Sequence, residues 1–259
     1  MKKYLFIGGG VIVVGVIVMI VLAVMNLGSI IKTATETYGP QITKTEVKLG
    51  SADISVLSGS GTLKEFLLGN PKGFTMPTAL TCGTIRVKID TNSLTSDTIV
   101  IEEIFIDAPV VSYEKKGSTD NFKTILANIQ KTVASEEKSG GSEKAESGKK
   151  EEAGSEKKIQ INDFIVKNGK INLGGSLLNA FGDQGVGIDL PDIHIKDIGK
   201  DKETSPAEAF AIVLGEMTGD VSGTVTEVGK QLKEQLGKAV EGASEKAGGV
   251  LKGLFGGSE

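Results

Sequence analysis

Aromatic, sulfur-containing and imidazole side chains are scarce in this 259-residue chain, and each shortage excludes a class of function. Tryptophan is absent and aromatic residues make up 5% of the sequence, which argues against stacking platforms for bases or sugars. Cys82 is the only cysteine and His194 the only histidine, so the sequence offers no intramolecular disulfide and no His/Cys metal cluster. We therefore predict that Cys82 is a small packed side chain and not a reactive thiol.

Basic residues are not in excess, and the motifs of common enzymes are missing. The net charge is −4, so no basic face is expected to neutralise the phosphates of a nucleic acid. The sequence contains no Gly-x-Ser-x-Gly motif and no Gly-x-x-x-x-Gly-Lys phosphate loop. Asp189 and Asp192 flank Leu190-Pro191, where we expect solvated carboxylates. We predict no enzymatic activity, no cofactor and no metal site.

The sequence contains one long apolar segment near its N-terminus. Residues 5–27 contain no charged side chain and would form a helix of roughly 30–35 Å, long enough to cross a bilayer. A cleaved signal peptide is the alternative, but the run exceeds a usual h-region and lacks a good Ala-x-Ala site. We predict a single-pass anchor at 5–27. Because Lys2 and Lys3 precede it, residues 1–4 are expected in the cytoplasm and the body on the other side.

Short β-like segments follow a connector at residues 28–41. Ile85, Val87 and Ile89 alternate with polar residues, which predicts strands with one apolar face. A phase change at Glu102-Glu103 predicts a bulge or a tight turn. Asn70-Pro71-Lys72-Gly73 predicts a type I turn. A helix is expected from Asn121 to Val133. These segments form the first part of a β domain at 42–133.

The charged segment at 134–158 divides the β pattern in two. It consists mostly of Glu, Lys, Ser and Gly, and it cannot bury enough apolar surface to order itself, so we predict a disordered linker. The alternation resumes in the second part of the β domain, at 159–205. Asn168-Gly169 between two alternating runs predicts a β-hairpin turn.

The C-terminal segment at 206–259 is predicted to be helical. Ser205 and Pro206 form an N-cap followed by proline at the first helical position. An apolar stripe then predicts an amphipathic helix that packs either on the protein's own sheet or on a membrane. The stripe consists of Val221, Val225, Val228, Leu232, Leu236 and Val240.

Two stretches resemble the AsmA-like family of proteins. They are ISVLSGSGTLKEFLLGNPKGF, from Ile54 to Phe74, and IRVKIDTNSLTSDTIVIEEIFIDAPVVSYE, from Ile85 to Glu114, with its turn at Asp107-Ala108-Pro109. VGIDLPDIHIKDIG, from Val186 to Gly199, also fits. The resemblance covers most of residues 31–214 and rests on apolar positions and one Asn-Pro-Lys-Gly-Phe turn.

The resemblance implies a protein of the Gram-negative inner membrane with its body in the periplasm. The fold class expected is mainly β with helices: the transmembrane helix, a curved antiparallel sheet shaped as a groove, a short capping helix and the C-terminal amphipathic helix. In this family an apolar groove carries phospholipids, without catalytic residues. The apolar phase of the alternation supplies the candidate groove positions, and the family implies that they contact lipid: Val47, Leu49, Ile54, Val56, Ile85, Val87, Ile89, Ile188 and Leu190.

Three functional hypotheses follow from these patterns. The first is a membrane-anchored periplasmic protein that binds phospholipid acyl chains, in lipid transport or envelope homeostasis. The second is a non-enzymatic adaptor or scaffold of the envelope, with the apolar sheet face closed by the helices that begin near Asn121 and Val221, and with a protein partner. The third treats the C-terminal helix as a sensor that folds on a membrane.

Overall fold

The computed structural model describes residues 26–139, 157–175, 177 and 187–255, with side chains described to residue 135 in the first range and to residue 231 in the last, and for Glu234. Among the described residues, the α-helices are α1 (Leu27–Thr43), α2 (Asn121–Ser139) and α3 (Pro206–Phe255), and a short 3₁₀ helix spans Thr91–Thr95. The strands are β1 (Val47–Ser55), β2 (Ser60–Gly69), β3 (Thr78–Ile89), β4 (Thr98–Asp107), β5 (Val110–Lys116), β6 (Thr119–Asp120), β7 (Lys158–Lys167), β8 (Lys170–Gly175), β9 (Ile188–Asp189) and β10 (Ile193–Ile198).

Two predicted segments fall largely outside the described residues. Only the last two residues of the predicted anchor at 5–27 are described. Most of the predicted linker at 134–158 also lies outside the described residues. Within the described ranges, no helix has the length and apolar character needed to span a membrane. α2 extends through Ser139, into the first residues of the range predicted as a linker.

The strands form a single curved sheet that does not close into a barrel. β1, β2 and β3 form an antiparallel meander, and β3 continues the sheet to β4 and β5. β4 then pairs with β7 and β5 with β8, and both of these pairings are parallel. The mainly β fold is therefore confirmed, but the sheet is mixed and not purely antiparallel as predicted.

Several strands lie end to end and do not fold back as hairpins. β4 and β5 pair in the same register with β3, where Ile85 faces Ile106 and Thr81 faces Val110. In the same way β7 and β8 run beside β4 and β5, and β10 and β9 run beside β7 and β8. The predicted hairpin at Asn168-Gly169 is therefore wrong, since these residues interrupt one continuing strand path.

The interruptions are aligned across the sheet and form what we call the bend line. It passes through Gly50, Glu65, Gly83, Ala108 and Asn168, which occupy corresponding positions in neighbouring strand paths. Glu65, Ala108 and Asn168 have φ values of 55°, 50° and 55°, a left-handed conformation that is uncommon outside glycine. Extra residues of this kind bend a strand, and their alignment bends the whole sheet along one line.

The bend line preserves the apolar face on both sides of it. On either side of the bend line, the neighbouring apolar side chains of β3 are Cys82 and Ile85, and those of β2 are Phe66 and Leu63. In both strands they are three residues apart, whereas side chains on one face of a regular strand are two residues apart. All four side chains line the same cavity. The extra residue thus lets the strand bend without turning its apolar side chains to the opposite face.

Two local predictions have different outcomes. The bulge expected at Glu102-Glu103 is confirmed, because the register between β3 and β4 shifts there. The turn at Asn70 begins one residue later than predicted. Its closing hydrogen bond runs from the Phe74 N–H to the Pro71 carbonyl at 3.3 Å, and Gly73 takes a φ of 94°. The Asn70 side chain instead donates to the carbonyls of Met76 and Thr78.

α2 and α3 cover the concave, apolar face of the sheet. Phe122, Ile125 and Ile129 lie on one side of α2 and are fully buried. α3 contributes Leu214 and Val221, which are also buried, so part of the predicted C-terminal stripe, Val221 and Val225, packs in the protein's own core. This arrangement gives two layers around one core.

α1 covers the β1 edge of the sheet. The Lys32 ammonium donates to the carbonyls of Leu49, at 2.6 Å, and Gly50, at 3.0 Å, while the Glu36 carboxylate accepts from the Leu49 N–H at 3.2 Å. These side chains form hydrogen bonds with backbone N–H and carbonyl groups of β1 that would otherwise be free to pair with another strand. Such covering protects an edge from pairing with other chains.

Replacing Gly28 with alanine should loosen α1 from the sheet. A Cβ at this position would lie 2.0 Å from the carbonyl oxygen of Ala52, a backbone atom that cannot move without disturbing β1. We expect the opening free energy of α1 to fall by about 1–3 kcal/mol, measured by amide hydrogen exchange. Gly83→Ala is the matched control, since a Cβ there meets nothing within 4 Å. Equal exchange of α1 in both variants would contradict this packing.

Candidate functional site

An apolar cavity of about 310 Å³ lies between the concave sheet face and α3, and we call it the inner cavity. The sheet supplies most of its wall, and α3 supplies the side that faces the sheet. Its lining residues are Leu63, Phe66, Leu80, Cys82, Ile85, Val87, Ile101, Ile104, Ile106, Ile159, Ile161, Phe164, Pro206, Ala209, Phe210, Val213, Leu214 and Met217.

The first turns of α3 are positioned by a capping box. The Glu208 N–H donates to the Ser205 hydroxyl at 3.2 Å, and the Ser205 N–H donates to the Glu208 carboxylate at 2.8 Å. The second hydrogen bond is the main cause of the lowered pKa of Glu208. The predicted N-cap at Ser205 is therefore confirmed. It fixes the start of α3 so that residues three and four positions apart, from Pro206 to Met217, face the cavity.

The described residues that line the inner cavity include no group that could carry acid–base catalysis near neutral pH. Among the described residues that line it, Cys82 is the only titratable one, and burial raises the pKa of this thiol to about 12. The thiol therefore stays protonated and packs as a small apolar side chain, as the sequence predicts. The other described side chains that line the cavity are hydrocarbon, apart from the Met217 thioether. On such a surface, contact with apolar groups is favoured over contact with water.

The convex face of the sheet is polar and carries paired charges. His194 lies there, half-exposed, with its Nε2 atom 2.5 Å from the Asp163 carboxylate. Arg86 stacks over the Phe105 ring at 4.2 Å from its centroid. Among the described residues, no group of three His, Cys, Asp or Glu side chains is placed to hold a metal ion. The described residues of the convex face therefore present solvated polar and charged side chains.

A second apolar space of about 600 Å³ lies between α1 and the first turns of α3, and we call it the outer groove. It adjoins the inner cavity, because Phe66, Pro206 and Phe210 line both. None of the described residues that line it is charged, and their polar side-chain groups are the hydroxyls of Thr35, Tyr38 and Thr43. Its full lining is Ala34, Thr35, Tyr38, Gly39, Ile42, Thr43, Val47, Phe66, Leu68, Pro206, Ala207 and Phe210.

The predicted groove residues are divided among several places. Ile85 and Val87 line the inner cavity, and Val47 lines the outer groove. Leu49 and Leu190 are buried but line neither space. The others are half-buried away from both: Ile54 near the end of β1, Val56 in the turn that follows, Ile89 at the end of β3, and Ile188 in β9.

The prediction missed most of the inner cavity's lining. Ile101, Ile104 and Ile106 in β4 show the same alternation as β3, as do Ile159 and Ile161 in β7. That signal was sufficient to include them. The contribution of α3 could not be read in this way, because helical spacing shows an apolar side but not the surface against which it packs.

Comparison with known proteins identifies no relative. No protein-family model matches the chain, and neither a curated protein nor a solved structure does.

Proposed function

We propose that this chain is a membrane-anchored, AsmA-like protein of the Gram-negative inner membrane that binds phospholipid acyl chains in the periplasm, for lipid transport or envelope homeostasis. The observation that carries the proposal is the inner cavity, whose described lining side chains, from the sheet and α3, carry only hydrocarbon and sulfur. The apolar sequence at 5–27 supports the anchor.

The volume and chemistry of the inner cavity suit hydrocarbon. At about 310 Å³ it lies at the lower end of the range of ligand sites, roughly 300–1,000 Å³. Each methylene group transferred from water into it contributes about 0.8 kcal/mol, so about ten methylenes contribute roughly 8 kcal/mol before the cost of ordering the chain. Acyl chains can therefore bind without a dedicated polar contact.

Photolabelling of the full chain tests this proposal. The protein is held in polymer-bounded nanodiscs of phosphatidylethanolamine and phosphatidylglycerol that include a phospholipid with a diazirine in the middle of one acyl chain. After irradiation we expect labels on peptides that line the inner cavity, such as those containing Ile104, Phe164 and Met217. Labels confined to residues 1–27 would contradict the proposal, because lipids around an anchor would label only that segment.

Filling the inner cavity should prevent the labelling. Ala209 is 3% exposed and lines the cavity. In Ala209→Phe the phenyl ring would occupy the space that several methylene groups of a bound acyl chain would fill. We expect labelling of the cavity peptides to fall about tenfold or more, since losing only two buried methylenes costs about 1.6 kcal/mol. Ile212→Phe is the matched control on the same helix, because Ile212 is 41% exposed and lines neither space. The control should label as the unmodified chain does.

A second candidate function is the envelope adaptor with a closed core. It is favoured by one observation, namely that α2 and α3 both pack across the apolar sheet face. Thermal unfolding of Ala209→Phe separates the two candidates. If the space serves a ligand, the ring fills it and the unfolding temperature is maintained or rises. If the face is ordinary core, overpacking lowers the free energy of unfolding by about 1–3 kcal/mol.

A further inference from the structure

The inner cavity and the outer groove are separated by only a few shared side chains. Phe66, on β2, and Phe210, in the second turn of α3, line both spaces together with Pro206. Both phenyl rings are half-buried, so neither is locked inside the core. Rotation of half-exposed side chains is fast compared with ligand exchange. The wall between the two spaces can therefore open without movement of a strand or a helix.

The inner cavity is too small for a long acyl chain. An engineered apolar cavity of about 150 Å³ holds one benzene molecule, so a cavity of twice that size holds about a dozen carbon atoms. The inner cavity, at about 310 Å³, is of this size. Decanoate fits within this limit, whereas the chain of palmitate exceeds it. A long chain must therefore extend beyond the inner cavity.

The outer groove is the adjoining space with suitable chemistry. Its base is apolar and includes Ala34, Ile42 and Val47. Tyr38 lines it and is 61% exposed, which places a hydroxyl-bearing side chain at its solvent side. Because the described lining of the groove carries no charge, it can hold hydrocarbon but leaves an ionised group in water.

We propose that the outer groove is a second subsite for the same acyl chain. The methyl-terminal part of the chain lies in the inner cavity, the middle passes between Phe66 and Phe210, and the part next to the polar group lies in the outer groove with its carboxyl or headgroup end in water. This inference rests on the proposed function, because it assigns the remainder of the ligand that the inner cavity binds. It predicts that chain length determines whether the outer groove contributes to binding.

Two photoreactive palmitates locate the ends of the bound chain. One carries its diazirine near the methyl end and the other near the carboxyl end, and each is added to the full chain in nanodiscs. We expect the first to label peptides of the inner cavity, such as that containing Ile161, and the second to label α1 around Ala34. Absence of label from both spaces would overturn the proposed function itself. Label in the inner cavity without carboxyl-end label on α1 would overturn only the second subsite.

Blocking the outer groove tests the dependence on chain length. Ala34→Phe places a ring in the groove, while Thr37→Phe alters an exposed position of α1 outside it and serves as the control. We expect Ala34→Phe to weaken labelling by the methyl-end palmitate probe about tenfold and to leave a decanoate probe unchanged, because only the longer chain loses buried methylenes. Equal loss for both probes would overturn the second subsite. The end-specific labels of the unmodified chain remain decisive if Ala34→Phe does not fold.

Discussion

Phe122→Ala is expected to lower the free energy of unfolding by about 3–5 kcal/mol, the usual cost of removing a fully buried ring. Phe122 is 0% exposed in the first turn of α2, and Ile125 and Ile129 are equally buried on the same side of the helix. Truncation removes the transfer free energy of the ring and leaves a cavity that these branched neighbours cannot fill. Urea denaturation of the full chain in detergent micelles, followed by far-ultraviolet circular dichroism, measures the change.

Gln130→Ala is the control for this substitution. Gln130 lies on the exposed side of α2, where replacements usually change the free energy of unfolding by no more than about 0.5 kcal/mol. α2 contributes no residue to the lining of the inner cavity. The folded fraction of Phe122→Ala should therefore still be photolabelled there. A loss below about 1 kcal/mol would mean that α2 is not an integral part of the core.

Periodicity identified strands correctly because alternation is a local property. Ile85, Val87 and Ile89 alternate since one side of β3 is buried and the other is wet, and no knowledge of neighbouring strands is needed. The bulge at Glu102-Glu103 is found for the same reason, because an extra residue shifts the alternation within one strand.

Strand pairing could not be predicted in this way, because it depends on segments far apart in the chain. Thr98 pairs with Lys158 and Val110 with Lys170, a constant separation of 60 residues across α2 and the segment that follows it. Nothing in either segment alone distinguishes a parallel neighbour from an antiparallel one. The sequence therefore predicts the strands but not that two of the pairings are parallel.

The bend line explains why Asn168-Gly169 was wrongly predicted to form a hairpin turn. Asn168 adopts a positive φ, and Asn-Gly supplies that conformation equally well in a two-residue hairpin and in a bulge. Only the register of β7 and β8 with β4 and β5 shows that the chain continues forward. The same ambiguity affects Asp107-Ala108-Pro109, where Ala108 has the left-handed conformation.

Prediction of the inner cavity requires both the local alternation along each strand and the long-range pairing between strands. Its strand residues share a face that alternation can identify, but the bend that curves this face depends on pairing across the sheet. The side formed by α3 requires that a helix late in the sequence return to strands near its beginning. A sequence reading thus recovers the apolar character of the site without its boundaries, which is why only Ile85 and Val87 of the predicted set line it.

Asn121→Ala is expected to lower the free energy of unfolding by about 3 kcal/mol, because buried groups lose their hydrogen-bond partners. The Asn121 side chain is 0% exposed. Its Oδ1 atom accepts from the Glu114 N–H at 3.1 Å, and its Nδ2 group donates to the Asn70 side-chain oxygen and the Ser112 carbonyl, both at 2.7 Å. Through these hydrogen bonds, the Asn121 amide connects the start of α2 to strand β5 and to the loop after β2. Urea denaturation followed by circular dichroism measures the loss.

Asn128→Ala provides a matched control within the same helix. Asn128 is half-buried, and its amide donates to the Thr43 carbonyl at 3.0 Å, so its loss should cost only about 1 kcal/mol. Asn121→Asp tests the geometry separately, because it keeps the acceptor for the Glu114 N–H but sets an oxygen against the acceptors of Asn70 and Ser112. We expect it to destabilise the protein at least as much as Asn121→Ala. If Asn121→Asp were tolerated, or if the two alanine variants were equally stable, this amide would not connect the three elements.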